Sequence, residues 1–155
     1  MLTAVRRGEV DVAIATWAEN EPSDLHRHVI VDDPLVAVVG TTHPWASRST
    51  ITPAELVHVD VISLEPGTGS RDALDAMMRR TALTLTPRWE VAGPSFVKEL
   101  AGRGLGVAIV SETTASTWGL RCIPFDDSQA RSRLGIVWGE NPSAAARAFL
   151  NEIRG

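Results

Sequence analysis

The sequence has almost no cysteine, no tyrosine and no long apolar run, and these absences exclude several kinds of protein. Cys122 is the only cysteine among 155 residues, so the chain forms no internal disulfide and no cysteine-based metal site of its own. We expect Cys122 to be a small core residue, because it lies in an apolar run. No run approaches the roughly 20 apolar residues that span a bilayer, and the first residues do not resemble a secretion signal. A cytoplasmic protein without membrane contact is therefore expected.

The sequence also has no long basic stripe. Its 15 lysines and arginines are scattered, and its formal net charge is −4. A surface that binds duplex DNA usually concentrates its positive charge, so this chain is not expected to hold DNA by itself. With 44% hydrophobic and 22% charged residues, it can form one ordinary globular core, undivided or divided into two small lobes.

No catalytic, metal or cofactor site is recognisable. There is no Gly-x-Ser-x-Gly elbow, and Ser111, which follows an apolar strand, has no identifiable base. His26 and His28 have a spacing that metals use, but no carboxylate or cysteine stands nearby to complete an obvious site. The glycines of 102–106 resemble a dinucleotide fingerprint, yet here a helix precedes them and a strand follows, which is the reverse of the required order. We predict no enzyme, no metal and no cofactor.

Hydrophobic periodicity predicts a repeated alternation of strands and helices. The predicted strands cover 10–16, 28–31, 35–39, 58–64, 87–91, 105–110, 120–125 and 134–138. Helices are predicted over 2–7 and 71–81, with others beginning after the caps Thr52, Ser95 and Ser143. This alternation is typical of an α/β fold with a largely parallel sheet.

Two of the predicted helix starts point to a ligand. The segment Glu65-Pro-Gly-Thr-Gly-Ser follows a strand and opens a helix, so its amides and the hydroxyls of Thr68 and Ser70 can hold a carboxylate. Simple helix capping explains the same residues, and both interpretations stay open here. Gly93-Pro94-Ser95-Phe96 repeats the arrangement at the next helix. Helix starts at the carboxyl ends of neighbouring parallel strands face a common crevice, which would be the ligand site.

Three segments, taken in order, resemble a known family. They are Leu2-x-x-Val5-x-x-Gly8-Glu-Val-Asp11-Val-Ala-Ile14, then Asp33-Pro-Leu-Val-Ala-Val-Val with His43-Pro44-Trp-Ala, then Leu100-Ala-Gly-Arg-Gly-Leu-Gly-Val-Ala-Ile109. In order and spacing they are similar to the effector-binding domain of LysR-type transcriptional regulators. The resemblance extends over nearly the whole chain.

The resemblance implies a fold and a set of ligand-binding residues. The fold would be two-lobed α/β, like type 2 periplasmic binding proteins, with mainly parallel sheets. Lobe I would comprise 1–47 and 126–155, and lobe II 48–125. An inducer, which we expect to bear a carboxylate, would bind between the lobes. The residues at matching positions are Thr16, Trp17, Ser63, Thr68, Gly69, Ser70, Ser95, Phe96 and Ser111.

The resemblance also implies a DNA-binding segment and subunit partners. Family members begin with a DNA-binding helix-turn-helix, which is absent from this sequence, and they form homo-oligomers: dimers through the effector domain and tetramers at full length. The first strand and helix of lobe I and the following strand are also expected to be absent, leaving an incomplete lobe with an open strand edge. Two alternatives remain on the same scaffold, a solute-binding protein of a transporter and an enzyme acting on a small acid.

Overall fold

The computed structural model describes residues 2–18 and 24–155. In chain order the elements are α1 Leu2–Arg6, β1 Val12–Ala18, β2 His26–Val39, β3 Val61–Leu64, α2 Gly69–Arg80, β4 Trp89–Val91, α3 Pro94–Gly102, β5 Val107–Ser111, α4 Glu112–Ala115, β6 Arg121–Pro124, β7 Arg131–Trp138 and α5 Ala144–Arg154. Two 3₁₀ helices cover Pro44–Ser47 and Pro53–His58. The alternation of strands and helices is confirmed. In these described ranges no helix has the length and apolarity that a membrane crossing requires.

Strand β2 connects two groups of strands, in the order β1-β7-β2-β5-β3-β4, with β6 also paired to β2. Its first part, His26–Pro34, pairs with β7, and its end, from Leu35 to Val39, pairs with β5 and β6. The sequence predicts two strands separated by a break at 32–34, but in the structure these residues continue β2 and pair with β7. Proline has no amide hydrogen to donate to a neighbouring strand. Pro34 is tolerated because it is the last residue of β2 that pairs with β7, before the pairing passes to β5 and β6. The predicted lobe boundaries stay a prediction, and this pairing favours a boundary inside β2.

The expectation of mainly parallel sheets is wrong in detail. Among the described strands the parallel pairs are β3–β4 and β3–β5, whereas β1–β7, β2–β7, β2–β5 and β2–β6 are all antiparallel. Strand and helix alternation indicates the direction of successive strands joined by a helix. It does not indicate how strands from opposite ends of the chain meet, as β1 and β7 do. Among the described residues β1 pairs only with β7, so its other edge is open, as predicted.

The core lies on both faces of the strands around the end of β2. Its residues Leu35–Val39 are at most 1% exposed and alternate between two buried clusters. One cluster is covered by α2, through Leu74 and Met77, and the other by α3, through Val97 and Ala101. Strands buried on both faces read as continuous apolar runs, and the prediction that β5 is one of them is confirmed.

Most of the predicted helix caps are confirmed. Thr52 and Glu55 form the predicted capping box, and the Ser143 hydroxyl accepts a hydrogen bond from the Ala146 amide at 3.2 Å. Helix α3, however, begins at Pro94 with Gly93 as its cap, so the Ser95 cap is wrong.

Two aromatic side chains of the helices are exposed, and the cysteine is half-buried. Phe96 is 64% exposed. The buried face of α3 is formed by Val97 and Ala101, and Phe96 lies about 100° around the helix axis from Val97. Phe149 of α5 is likewise 46% exposed. Cys122 is half-buried against the α3 side of the core, and burial raises the pKa of its thiol. A raised pKa disfavours the reactive thiolate, which agrees with a structural role.

Candidate functional site: the cleft at the start of helix α2

A cavity of about 370 Å³ lies between the N-terminus of α2 and one face of the strands β1, β7 and β2. We call it the α2 cleft. Its lining residues are Thr16, Val31, Asp33, Leu64, Thr68, Gly69, Ser70, Ser111, Thr113, Thr114, Ser132 and Leu134. Five of the nine predicted ligand residues are among them: Thr16, Thr68, Gly69, Ser70 and Ser111. A second cavity, of about 380 Å³, lies near α1 and contains none of the nine.

The floor of the α2 cleft is set by strand register. Thr16 and Val31 both face Leu134 from the strands on either side of β7. Asp33 lies directly opposite Ser132, two residues from Leu134 along β7. Because side chains alternate across a strand, these five residues share one face of the sheet. That face is directed at α2.

Helix α2 can approach this face closely because it begins with glycine. A Cβ atom on Gly69 would lie 2.7 Å from the Ser132 Oγ and 3.0 Å from the Thr16 Cγ2. Any side chain there would displace the Ser132 hydroxyl or the Thr16 methyl group. The first amides of α2 therefore come close to the Thr16 and Ser132 side chains, which brings a helix N-terminus and two hydroxyls to one place.

Four other hydroxyls of the α2 cleft, those of Thr68, Ser70, Ser111 and Thr114, are already engaged by the protein. Thr68 caps α2, since its Oγ1 accepts from the Arg71 amide at 3.3 Å and donates to the Glu65 carbonyl at 3.1 Å. The Ser70 Oγ accepts from the Ser111 amide at 3.0 Å and so joins α2 to the end of β5. The Ser111 and Thr114 hydroxyls bond each other at 2.8 Å. These contacts position the walls of the cleft.

Two polar side chains of the floor were missed from the sequence. Ser132 is 8% exposed, and its hydroxyl has no hydrogen-bond partner within residues 2–18 and 24–155. Asp33 is 7% exposed, and its two oxygens accept from the Thr113 amide at 3.2 and 3.3 Å. Buried polar groups are normally satisfied, so the Ser132 hydroxyl and the remaining acceptor positions of Asp33 make these two side chains candidates for ligand contact. Asp33 lies between the predicted strands 28–31 and 35–39, and Ser132 precedes the predicted strand 134–138, so no local signal in the sequence marks them as neighbours.

Four predicted ligand residues lie outside the α2 cleft. Trp17 follows Thr16 and so faces the other side of β1, where it is 5% exposed and stacks with the Arg27 guanidinium at 5.1 Å. Ser63 is fully buried and donates to the Leu64 carbonyl at 3.1 Å.

Ser95 and Phe96 are exposed on α3. Neither is among the lining residues of the α2 cleft, and α3 packs on the face of β3 and β5 opposite to α2. That the two helix starts face a common crevice stays a prediction.

Beside the α2 cleft, on the opposite face of the strands, Asp32 forms an ion pair. Its Oδ1 accepts from the Arg131 Nε at 2.6 Å, and its Oδ2 lies 3.4 Å from the Arg133 Nε. The hydrogen bond from Arg131 lowers the pKa of Asp32 below its ordinary value. Partial burial opposes this shift, and the positive charge of Arg133 adds to it. The pair fixes β2 against β7 next to Asp33 and Ser132.

We expect Asp32→Asn to destabilise the domain at pH 7, and the deficit to shrink in acid. A carboxyl whose pKa is lowered by folding contributes stability above its unfolded pKa and loses it as pH falls through the folded value. Because the pair is partly exposed, the deficit at pH 7 should be about 1 kcal/mol or less. Urea unfolding at pH 7 and near pH 3 measures this. A deficit that is the same at both pH values would contradict the ionic origin.

The sequence matches the family model of the LysR substrate binding domain over residues 1–155. The chain belongs to this family. It is 34% identical over 143 residues to YnfL of Escherichia coli, an uncharacterized HTH-type transcriptional regulator, covering 86% of this chain and 48% of that protein. It is 31% identical over 166 residues to the HTH-type regulator Rv2282c of Mycobacterium tuberculosis, covering 98% of this chain and 52% of that protein. This LysR substrate binding domain thus spans about half the length of these relatives.

Solved structures confirm the predicted α/β fold class of this LysR domain. The regulatory domain of CcmR from Synechocystis, in complex with 2-PG, superposes with a TM-score of 0.72 at 24% identity, covering 97% of this chain and 75% of that one. The effector-binding domain of QuiR, in complex with shikimate, gives a TM-score of 0.73 at 19% identity, covering 97% and 73%. These neighbours have the type 2 periplasmic-binding-protein-like fold expected from the sequence.

Proposed function

We propose that this domain is the effector-sensing part of a LysR-type transcriptional regulator, and that it binds a small carboxylate-bearing molecule in the α2 cleft. The observation that carries the proposal is the buried Ser132 hydroxyl, which has no hydrogen-bond partner among the described residues and faces the N-terminus of a 12-residue helix beside Thr16. The structural neighbours hold the small molecules 2-PG and shikimate, which supports effector binding by this fold.

A carboxylate fits the chemistry of this end of the cleft. Helix N-termini present free amides and a partial positive charge to an anion, and serine and threonine hydroxyls add donors. No lysine or arginine is among the described lining residues, so the helix end and these hydroxyls would hold the anion themselves. A volume of about 370 Å³ is within the range of small-molecule sites.

The lining residues favour binding over catalysis. Asp33 is the one ionisable side chain that the described part of the chain contributes to the α2 cleft. General acid–base chemistry on a small acid usually requires a second titratable group within reach of the substrate. The relatives are named as regulators, which also points away from an enzyme and from a transporter's solute-binding protein.

The proposal extends to the oligomerisation and DNA binding of the whole regulator. Inducer binding would change how the subunits of a homo-oligomer, a dimer through this domain and a tetramer at full length, present their DNA-binding domains. DNA would be held only by a helix-turn-helix outside this sequence, in the cytoplasm. Support comes from the HTH-type relatives, which are about twice as long as this chain.

Ser132→Ala provides the test. Because its hydroxyl has no partner in the part of the chain that the structure describes, we expect Ser132→Ala to leave the stability of the ligand-free domain within about 0.5 kcal/mol of the original. The same change should weaken a bound carboxylate by about 10-fold to 100-fold, the usual worth of a hydrogen bond to a charged group. The measurements are thermal shifts with a panel of small carboxylates and their neutral amides, followed by calorimetric titration of the compounds that bind.

Ser49→Ala is the matched control, because Ser49 is exposed and lies outside the cleft lining. It should change neither stability nor affinity. The proposal is wrong if only neutral or cationic compounds bind, or if Ser132→Ala binds carboxylates as tightly as the original chain.

A further inference from the structure

We infer that the effector is a zwitterion of the α-amino acid type, whose ammonium group is received by Asp33. This inference rests on the proposed function, because it uses the same cleft and assigns the carboxylate to the α2 end. It adds the second charged group of the ligand and the residue that selects it.

The first step is the incomplete environment of Asp33. An ionised carboxylate has about four acceptor positions, and the protein supplies Asp33 with one backbone amide, that of Thr113. No lysine, arginine or histidine in the described ranges forms an ion pair with it. Buried charges in proteins are paired, since an unpaired one costs several kcal/mol. Asp33 faces the cleft with spare acceptor capacity, so a ligand cation would complete its environment.

The second step is the distance between the two ligand-binding ends. Asp33 and Ser132 are directly opposite on antiparallel strands, which places their Cβ atoms about 5 Å apart on one face. Gly69 and the first amides of α2 lie against the Ser132 hydroxyl. An α-amino acid carries its ammonium and carboxylate groups on adjacent carbon atoms. One such molecule can therefore contact both ends at once, with its side chain directed into the rest of the cleft.

Asp33 also has a structural role, because it accepts from the first turn of α4. The variant Asp33→Asn separates the two roles. The asparagine Oδ1 can still accept from the Thr113 amide, while the negative charge that would attract an ammonium is removed. A 2-hydroxy acid would also donate a hydrogen bond to Asp33, but it would leave the buried charge unneutralised, so it should bind more weakly than the amino acid.

The experiment uses matched triplets of one carbon skeleton: alanine, lactate and propionate; phenylalanine, phenyllactate and 3-phenylpropionate; glutamate, 2-hydroxyglutarate and glutarate. Thermal shifts select the skeleton that binds, and calorimetry measures its three members on the original chain, Asp33→Asn and Ser132→Ala. We expect the amino acid to bind at least about 10-fold more tightly than its two counterparts. Asp33→Asn should abolish this preference and leave the hydroxy acid within about two-fold of its original affinity.

The outcomes distinguish this inference from the proposed function. If the hydroxy or deaminated acid binds as tightly as the amino acid, the inference is overturned, whatever the variants do. The same follows if Asp33→Asn keeps the amino acid preference. In both cases the proposed function stands, provided that Ser132→Ala weakens binding. If no acid of any triplet binds, or Ser132→Ala has no effect on those that do, both fail.

Discussion

Replacing Gly135 with alanine will lower the free energy of unfolding by about 3 kcal/mol, at the upper end of what overpacking usually costs. Gly135 lies in β7 between β1 and β2, opposite Ala15 and Val29. A Cβ atom there would overlap the carbonyl oxygen of His28 and lie 2.7 Å from the Trp17 ring. The carbonyl belongs to a paired strand and Trp17 is 5% exposed, so neither can move aside cheaply.

Urea unfolding followed by circular dichroism measures this loss, and Gly139→Ala is the matched control. Gly139 follows the same strand, but its nearest neighbour would be the Val5 carbonyl oxygen at 3.8 Å, an ordinary contact. We expect the control to change stability by less than about 1 kcal/mol. Equal unfolding midpoints for the two variants would show that β7 is not enclosed as described.

The second large effect is expected for Leu74→Ala, which should destabilise the domain by about 3 kcal/mol. Leu74 is 1% exposed and packs in the cluster between α2 and the strands around β2. Removing a buried leucine side chain costs its transfer free energy and leaves a cavity, which together give about 2–5 kcal/mol. This cluster also holds α2 in place, so the variant should lose stability throughout the domain.

Leu105→Ala is the control for the same chemical change at the surface. Leu105 is 42% exposed, so its replacement should cost less than about 1 kcal/mol in the same urea experiment. If the two leucine variants are equally stable, α2 does not pack on the core as the structure shows.

Sequence patterns correctly predicted features that depend only on residues close together in the chain. The helix predicted over 71–81 is α2, and its apolar residues at helical spacing, Ala73, Leu74, Met77 and Met78, are all buried. The Thr52–Glu55 capping box and the Ser143 cap formed as predicted. Such features depend on residues three or four positions apart, and the chain encodes them without help from the rest of the fold.

Within the candidate site, too, the residues that a local pattern identifies were predicted correctly, and others were not. Thr68, Gly69 and Ser70 were identified because a strand, a glycine loop and a helix follow one another in the sequence. Trp17 was placed with Thr16 although alternation puts neighbours on opposite faces of a strand.

Composition and local pattern in the sequence determined the α/β class, the helix caps at Thr52 and Ser143, the family resemblance and one wall of the α2 cleft. The tertiary structure alone decided which strands pair, and it placed Asp33 opposite Ser132 although 99 positions separate them in the chain. The physical reason is that strand register is set by the packing of a whole sheet face, between segments that have no local relation. The floor of the cleft, and with it the chemistry that would select the ligand, exists only once β2 and β7 are side by side.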